Sequence, residues 1–437
     1  MSNFKYIILA IFLFQVFGAN AQQLVTLDDA IAIALEKNHS IKISKNDITI
    51  AENKATWGNA GLLPDLDINA SGNLASLDSK VEMTGGLPTE EMDGAKSNSL
   101  FASLDLSYTI FDGFKNRYKL ESLRATQFEK ELNYTARIEK TIIDVINAYY
   151  NLINIQANLE NDKETYNYSV NRYNDVANEV KYGQNTELEL LTAKGYINTD
   201  SSRVLNTQLL FQKAVLDLNN VLGVDTLTGS EIFDNSITLT KNISKEELQE
   251  KTLSNNIDLK IANSSLLQSE IDIKSNKYFY MPKISLNASY GYGNQEYEVG
   301  AMLLNRTVGP SIGFTVRHNV FAGDRKRKDL QNAKIAYANQ QFSLEETKLF
   351  LNADFEKAWL NYQYYLTLIP IEQNNVEIAE KRFKKTQSQY KLGQASNLEF
   401  RDAQLNLRKT NSILNETKIN AKLAEWELLR MAGLIAN

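Results

Sequence analysis

Residues 138–159 read IEKTIIDVINAYYNLINIQANL, and the spacing of their apolar side chains predicts a helix. One set of apolar residues steps along the chain by four and three, as one face of a helix requires: Ile138, Ile142, Val145, Tyr149 and Leu152. A second set keeps the same spacing beside it: Ile143, Ile146, Tyr150, Ile153 and Ala157. A two-stranded coiled coil needs only one seam, so two seams indicate two helical neighbours, as in a closed ring of helices.

The predicted helix extends far beyond this stretch. Residues 115–180 contain neither Pro nor Gly, and the first seam keeps its phase as far as Val180. At about 1.5 Å per residue, such a helix spans roughly 100 Å. The same reasoning predicts a second long helix and four shorter ones, at 325–390 and at 26–62, 185–220, 245–281 and 395–432.

The chain repeats itself. With a shift of 218 residues, Asn38 falls on Asn256 and Pro64 on Pro282, and with a shift of 210 residues Gly183 falls on Gly393. A shift that stays constant over each long segment indicates a duplicated unit. The difference of eight residues between the two shifts places one variable loop inside each half, near 75–98 and 294–307. We therefore divide the mature chain into three parts, which are a first repeat, an equatorial linker and a second repeat at 22–224, 225–244 and 245–437.

Four short segments alternate apolar and polar side chains and predict β-strands near 65–74, 99–111, 283–293 and 308–321. Strands of about ten residues with one apolar and one polar face are typical of outer-membrane barrels. An ordinary sheet on a soluble core is the alternative. Four strands are too few to close a barrel, so closure needs several chains around an axis. Three chains would give twelve strands, and the sequence also permits two or four.

The amino terminus predicts export. Lys5, the apolar run 6–17 and the small residues Ala19 and Ala21 form the pattern of a signal peptide over residues 1–21. A run of about twelve apolar residues is too short for a membrane helix, which needs about 20.

The composition disfavours several classes of protein. There is no cysteine, which excludes disulfides and thiol catalysis, and with only two histidines a His-built metal site is not expected. The net charge of -6 argues against nucleic-acid binding. No phosphate loop, catalytic carboxylate pair or nucleophile motif is present. We therefore expect no cofactor and no enzymatic activity.

Each repeat is predicted to end in a helical hairpin. Gly183 and Gly393 follow the two long helices, where a left-handed glycine cap is common, and Thr186 and Ser396 can cap the returning helices. The hairpin tips then contain four residues in equivalent positions: Gly183, Gln184, Gly393 and Gln394.

This ordered set resembles the TolC-like outer-membrane efflux protein family. The resemblance covers nearly the whole mature chain and rests on the duplicated order and on matching segments: Phe111-Asp112-Gly113, Phe321-Ala322-Gly323, Tyr182-Gly183-Gln184 and Tyr390-Lys391-Leu392-Gly393. It implies a mainly α fold with β, in which a homotrimer builds a 12-stranded transmembrane β-barrel in outer-membrane lipid. A long α-helical barrel would project into the periplasm.

The resemblance also implies a function and partners. The protein would be the exit duct of a tripartite efflux or type I secretion system. It would be opened when a periplasmic adaptor docks at the hairpin tips and supplied by an inner-membrane transporter. An exported coiled-coil tether, or an adaptor subunit without a pore, is the alternative.

Family members place acidic residues around the pore at the closed tip, and the matching positions here are Glu399, Asp402 and Glu189. Glu399 and Asp402 are three residues apart and share a helix face. In three copies they would attract cations and raise one another's pKa. A solvated helix face is the alternative. The family has an arginine two residues after the second tip glycine to latch the tip, and this chain has Ala395 instead.

Overall fold

The computed structural model describes residues 24–82, 84–85, 88–225, 232–233, 236–240, 244–300 and 302–435. The predicted signal peptide lies outside these residues. The chain divides into two compact units. Within the described residues, the helical unit takes 24–45, 132–260 and 347–435, and the sheet unit takes Asn46–Glu131 and Ile261–Glu346.

The order of helices and strands occurs twice along the chain, as predicted. The first half contains β1 (Leu24–Val25), α1 (Leu27–Lys37), α2 (His39–Lys54), β2 (Asp65–Val81), β3 (Glu90–Phe111), α3 (Lys115–Lys181) and α4 (Glu187–Leu222). The second half contains β4 (Ile232–Phe233), α5 (Lys245–Asn255), α6 (Ile257–Lys277), a 3-10 turn (Tyr278–Tyr280), β5 (Lys283–Tyr297), β6 (Leu304–Arg317), α7 (Arg325–Lys391) and α8 (Asn397–Met431).

Both predicted long helices are confirmed, since α3 and α7 have 67 residues each. At about 1.5 Å per residue each is about 100 Å long. Among the described residues, no helix combines the length with the apolar character that crossing a membrane demands.

The prediction of a single helix in front of each strand pair, over 26–62 and over 245–281, is wrong. Asn38 separates α1 from α2 and Asn256 separates α5 from α6, and both leave the helical conformation, with ψ of 125° and 130°. The Asn38 amide donates to the carbonyl of Val221 at 2.8 Å, and the Asn256 amide donates to the carbonyl of Met431 at 3.1 Å. Each asparagine therefore interrupts its helix and forms a hydrogen bond to the carboxyl-terminal end of a neighbouring helix.

The core of the helical unit lies around the middle of α3. Val145, Ile146 and Leu152 are completely buried there, which confirms the two predicted seams in this stretch. Tyr149 is 2% exposed, and its hydroxyl donates to the carbonyl of Val25 at 2.9 Å. The linker contributes Thr240, whose hydroxyl donates to the Glu425 carboxylate of α8 at 2.6 Å.

The sheet unit contains one antiparallel sheet with the strand order β2-β3-β5-β6. Its strands differ from the predicted ones. The predicted loops near 75–98 and 294–307 are largely strand, whereas β6 ends at Arg317 and not at 321. The outer parts of β2 and β3 carry polar residues on both faces, Lys80 and Glu91 on one and Ser79 and Glu90 on the other, so alternation could not reveal them. Backbone pairing still continues to Val81 and Glu90.

Register places the apolar side chains of all four strands in common rows. Ile68 lies opposite Leu104, which lies opposite Tyr290, while Ala288 lies opposite Ile312 on the same face. These side chains are largely exposed, Ile68 to 82%. The other face is polar, and its side chains hydrogen-bond to one another. Asn69 and Ser103 donate to the Asp105 carboxylate at 2.7 and 2.6 Å, and Ser289 and Ser311 share a bond of 2.8 Å.

Equivalent turns connect the sheet to the long helices. Phe114 and Asp324 each follow a glycine and adopt φ of 66° and 62°, which side chains other than glycine rarely do. The preceding Gly113 has φ of 73°, and a Cβ there would lie 2.7 Å from the Tyr278 carbonyl oxygen. Only glycine fits at this strand exit without displacing the backbone of Tyr278.

Candidate functional site at the hairpin turns

The two hairpin turns have the same backbone. Gly183 and Gly393 adopt φ of 72° and 70°, so the predicted left-handed caps are confirmed. The amides of Gln184 and Gln394 donate to carbonyls five residues earlier, at 2.8 Å in both turns. This closure satisfies helix-end carbonyls within the turn and fixes the direction of each returning helix.

The start of α8 is a capping box, because the Glu399 carboxylate accepts from the backbone amide of Ser396 at 2.7 Å and the Ser396 hydroxyl accepts from the Glu399 amide at 3.2 Å. The backbone bond from Ser396, followed by the bond from its hydroxyl, lowers the pKa of Glu399. The carboxylate is exposed. That the Glu399 pKa is raised in a ring of three copies stays a prediction. Within a single chain, the bonds from Ser396 lower it.

Asp402 lies one turn further along α8 and is also exposed. Its carboxylate accepts from the Arg382 guanidinium of α7 at 2.6 Å. An ion pair that is open to solvent on both sides contributes at most about 1 kcal/mol. Asp402 therefore retains access to solvent, on the side of α8 that also carries Glu399.

Glu189, the third predicted acid, is half-buried at the start of α4. It accepts a hydrogen bond from the side chain of Asn397, the first residue of α8, at 2.8 Å. The bond joins the returning helices of the two hairpins. Glu189 is thus engaged between hairpins, whereas Glu399 and Asp402 face solvent.

The turns expose large apolar side chains next to the predicted docking residues. Tyr182 and Leu188 on the first hairpin are each 73% exposed, and Leu392 and Leu398 on the second are each 72% exposed. Gln184 and Gln394 are exposed as well. Apolar side chains clustered beside exposed amides are characteristic of a surface that binds another protein.

Sequence reasoning missed a buried charged cluster above the turns. Arg401 of α8 donates to both carboxylate oxygens of Asp200 in α4, at 2.6 and 2.7 Å. Ser169 of α3 donates to the same carboxylate. Burial opposes ionisation of Asp200, but the bonds from Arg401 and Ser169 outweigh it and lower the pKa. Three helices therefore meet at one ion pair.

The cluster belongs to a polar seam along the facing surfaces of α3 and α8, which we define by its paired residues. These are Asn154 with Asn415, Asn158 with Ser412, Asp162 with Arg408, Thr165 with Gln404, and Ser169 with Arg401. On α3 this polar seam lies on a different face from the predicted apolar seam, whose members Tyr166, Val170 and Tyr173 are only half-buried. Polar residues at heptad spacing, such as Asp162, Thr165 and Ser169, were the available signal.

Among the described residues, no group of carboxylates and histidines is arranged to hold a metal ion. His39 and His318, the two histidines of the sequence, lie on α2 and just after β6.

The chain belongs to the outer membrane efflux protein family, whose sequence model matches residues 30–224 and 248–434. The family is one of efflux channels, as the resemblance implied. No curated protein matches the chain in sequence.

Solved structures of similar fold agree with this assignment. The Campylobacter jejuni CmeC outer membrane channel superimposes with a TM-score of 0.77 at 18% identity, covering 93% of this chain and 85% of that one. The outer membrane protein VceC from Vibrio cholerae gives 0.73 at 18% identity, covering 93% and 96%. The open state of the Neisseria gonorrhoeae MtrE outer membrane channel gives 0.70 at 18% identity, covering 93% and 89%. At such identities the likeness shows the fold, a helical barrel with a β-barrel domain.

Proposed function

We propose that the protein is a homotrimeric exit duct in the outer membrane, through which an inner-membrane transporter expels its cargo across the periplasm. The main support for this proposal is the four-stranded sheet, whose apolar side chains form an exposed face. Among the described residues, its outer strands β2 and β6 each pair with a neighbouring strand on one side only. Unpaired strand edges are not tolerated in lipid, so the edges must be sealed by other copies. Three copies give twelve strands.

Exposed apolar stripes on the helical unit support assembly with further copies. On α7 the stripe is Leu349, Leu360, Tyr364, Ile371 and Ile378, each between 53% and 68% exposed. On α4 a second stripe contains Leu191, Leu205, Leu209 and Leu216. Buried seams lie on other faces of both helices, so each has the two contact faces that a member of a helical ring needs. We assign the exposed stripes to contacts between subunits.

Opening of the duct is proposed to follow docking of a periplasmic adaptor at the hairpin tips. The exposed Tyr182 and Leu392 flank Gly183-Gln184 and Gly393-Gln394, and they offer the adaptor apolar area beside hydrogen-bonding amides. The duct itself is passive, and the transporter supplies the energy.

The pore at the tip is proposed to carry an acidic ring of Glu399 and Asp402 from each of three copies. Both carboxylates are exposed and lie one helical turn apart on α8. Glu189 would contribute to the local negative potential while holding Asn397. Such a ring favours cations.

Strand pairing between copies can be tested by disulfide cross-linking, because the chain has no native cysteine. Ser71→Cys on the polar face of β2 would be combined with Ser311→Cys, Gly313→Cys or Thr315→Cys on the polar face of β6. In oxidising conditions at least one combination should give covalent dimers and trimers on non-reducing gels, because cysteines in adjacent strands can come within disulfide distance.

The matched control is Ser107→Cys with Asn287→Cys, which are direct partners on β3 and β5 of one chain. This pair should close within the monomer. The proposed duct would be contradicted if no β2–β6 cysteine pair cross-linked two chains while the control pair closed, and if salt alone extracted the protein from membranes. A tether without a pore would then be the better interpretation.

A further inference from the structure

Four consecutive basic residues begin α7, and we call Arg325–Lys328 the basic run. The run follows the strand exit Phe321-Ala322-Gly323 directly, and all four residues are at least partly exposed. Among the described residues, the ion pairs of α7 begin at Asp354 and include none of Arg325, Arg327 and Lys328. The flanking acids Asp324 and Asp329 therefore do not neutralise these three side chains by direct contact.

Two side chains of the basic run are held against the end of the sheet. Lys326 Nζ lies 5.8 Å from the centroid of the Tyr280 ring, in the 3-10 turn before β5. A cation over an aromatic face at this distance is attracted to the ring. Arg325 Nε donates to the carbonyl of Ala322 at 3.2 Å. These contacts place the charges of the run at the level where the strands end.

The apolar face of the sheet continues as far as the basic run. On β6 this face contains Ile312, Phe314 and Val316, which are all largely exposed. Beyond the strand, Val320 and Phe321 are 88% and 83% exposed, and only three residues separate Phe321 from the run. An apolar face that ends in an aromatic side chain and then in cations matches a hydrocarbon core followed by a headgroup layer.

The two ends of the sheet differ in charge. At the end where the long helices begin, the first half of the chain has Lys115 and Arg117 in the positions equivalent to Arg325 and Arg327. The segments near the turns at the other end contain mainly acids: Asp78, Glu82, Glu90, Glu91, Asp93, Glu296 and Glu298. Anionic headgroups are attracted by clustered lysine and arginine and repelled by carboxylates. The charge of the sheet therefore complements anionic lipid at the strand exits and not at the turns.

We propose that the basic run binds the headgroups of anionic phospholipids, in the membrane leaflet on the side where α3 and α7 begin. Phosphate oxygens accept hydrogen bonds from the guanidinium and ammonium groups. Val320, Phe321 and the Tyr280 ring lie against the upper part of the acyl chains. This inference rests on the proposed membrane-spanning duct and adds to it a lipid class and the residues that select it.

Lipid selection can be measured with a tryptophan reporter. Trp57→Phe with Phe321→Trp removes the tryptophan of the sheet unit and places one beside the basic run, while Trp359 and Trp426 belong to the helical unit. The purified full chain would be reconstituted in phosphatidylcholine vesicles in which one lipid in five is phosphatidylglycerol. Bromine, which quenches tryptophan on contact, would be carried on the acyl chains of the phosphatidylglycerol or of an equal amount of the phosphatidylcholine.

We expect brominated phosphatidylglycerol to quench the reporter severalfold more than brominated phosphatidylcholine does. The difference should shrink in about 1 M sodium chloride, where the Debye length is about 3 Å. Equal quenching by the two lipids at low salt would overturn the proposal. A difference that inorganic phosphate abolished at constant ionic strength would also overturn it, because the site would then bind free phosphate and not lipid.

The triple variant Arg325→Gln, Arg327→Gln and Lys328→Gln should make quenching by the two lipids equal. The matched control is Lys384→Gln, Lys385→Gln and Lys391→Gln, which removes the same charge from exposed positions near the other end of α7 and should keep the difference. Retention of the difference in the first variant would contradict the assignment to the basic run. Should that variant fail to fold, the salt dependence of the intact run decides alone.

Failure of this inference and failure of the duct give different results. Equal quenching by both brominated lipids shows a strand exit at the membrane without lipid selection, which contradicts this inference and leaves the duct. If neither brominated lipid quenches the reporter, the strand exit does not lie at a membrane. The proposed duct and the lipid site would then fall together.

Discussion

Arg401 and Asp200 form a bidentate ion pair with nitrogen–oxygen distances of 2.6 and 2.7 Å. Both side chains are almost completely buried. The pair joins α8 to α4, and Ser169 extends it to α3. A planar guanidinium suits a carboxylate in this geometry better than an ammonium does. The pair therefore fixes both the distance and the rotation of α8 relative to the first hairpin.

Removing one partner of this pair should be costly. We expect Asp200→Leu to lower the free energy of unfolding by about 3–5 kcal/mol, because Arg401 is left charged and buried. The double variant Asp200→Leu with Arg401→Met should recover much of the loss. Thermal unfolding of the purified chain measures both. As a control, Asp354→Asn, which breaks an exposed pair with Lys357, should cost under about 1 kcal/mol. Equal losses for Asp200→Leu and the control would contradict the structural role of the pair.

Glu139 predicts a pH dependence of stability. The residue is 4% exposed on α3, and burial raises its pKa to about 7. Between its unfolded pKa of about 4.3 and pH 7 the folded state binds the extra proton, so this group's contribution to stability falls as pH rises through that window. The total change is on the order of 3 kcal/mol.

Glu139→Gln should therefore remove this slope and stabilise the chain at pH 8. Thermal midpoints measured from pH 5 to pH 8 test it, and Glu160→Gln, an exposed acid of the same helix, serves as the control. A Glu139→Gln variant that kept the full slope would show that other groups are responsible.

The two strand exits predict unequal effects of the same substitution. Gly113→Ala and Gly323→Ala both place a side chain at positive φ, which costs about 1–2 kcal/mol. The added Cβ at 113 would also meet Met281 Cβ and the Tyr278 carbonyl oxygen, each at 2.7 Å, whereas nothing lies within 4 Å at 323. We expect the Gly113→Ala midpoint to fall further. Identical midpoints for the two variants would contradict the close approach at Gly113.

Neutralising the proposed acidic ring should change ion selectivity. Glu399→Gln with Asp402→Asn removes six negative charges from a trimer and should reduce the preference for cations in planar-bilayer recordings. Glu345→Gln with Glu346→Gln removes the same number elsewhere on α7 and should leave selectivity unchanged. If the tip variant kept its selectivity, the ring would have to be abandoned.

Local features were predictable from the sequence because they depend on a few adjacent residues. Gly183, Thr186 and their repeats specify a turn and a cap, and the long apolar seam specifies α3. Asn38 escaped prediction because its helix-breaking bond to Val221 comes from 183 residues away. The Arg401–Asp200 pair could not be predicted for the same reason, because its residues are 201 positions apart. Heptad spacing indicates that a helix has a polar face but not which residue that face contacts. The ends of β2 and β3 are held by backbone hydrogen bonds, which the alternation of side chains in the sequence does not reveal.

The shift of 210 residues that superimposes the two hairpins also shows where the copies have diverged. Arg401 corresponds to Leu191, Asp200 to Thr410 and Ser169 to Ala379. Leu191 is exposed and Ala379 is buried, so the charged anchor has no twin in the other hairpin. The two hairpins therefore share a backbone conformation but differ in the side chains at these positions. A substitution at Arg401 would break the buried ion pair with Asp200, whereas a substitution at the equivalent Leu191 would break no such pair.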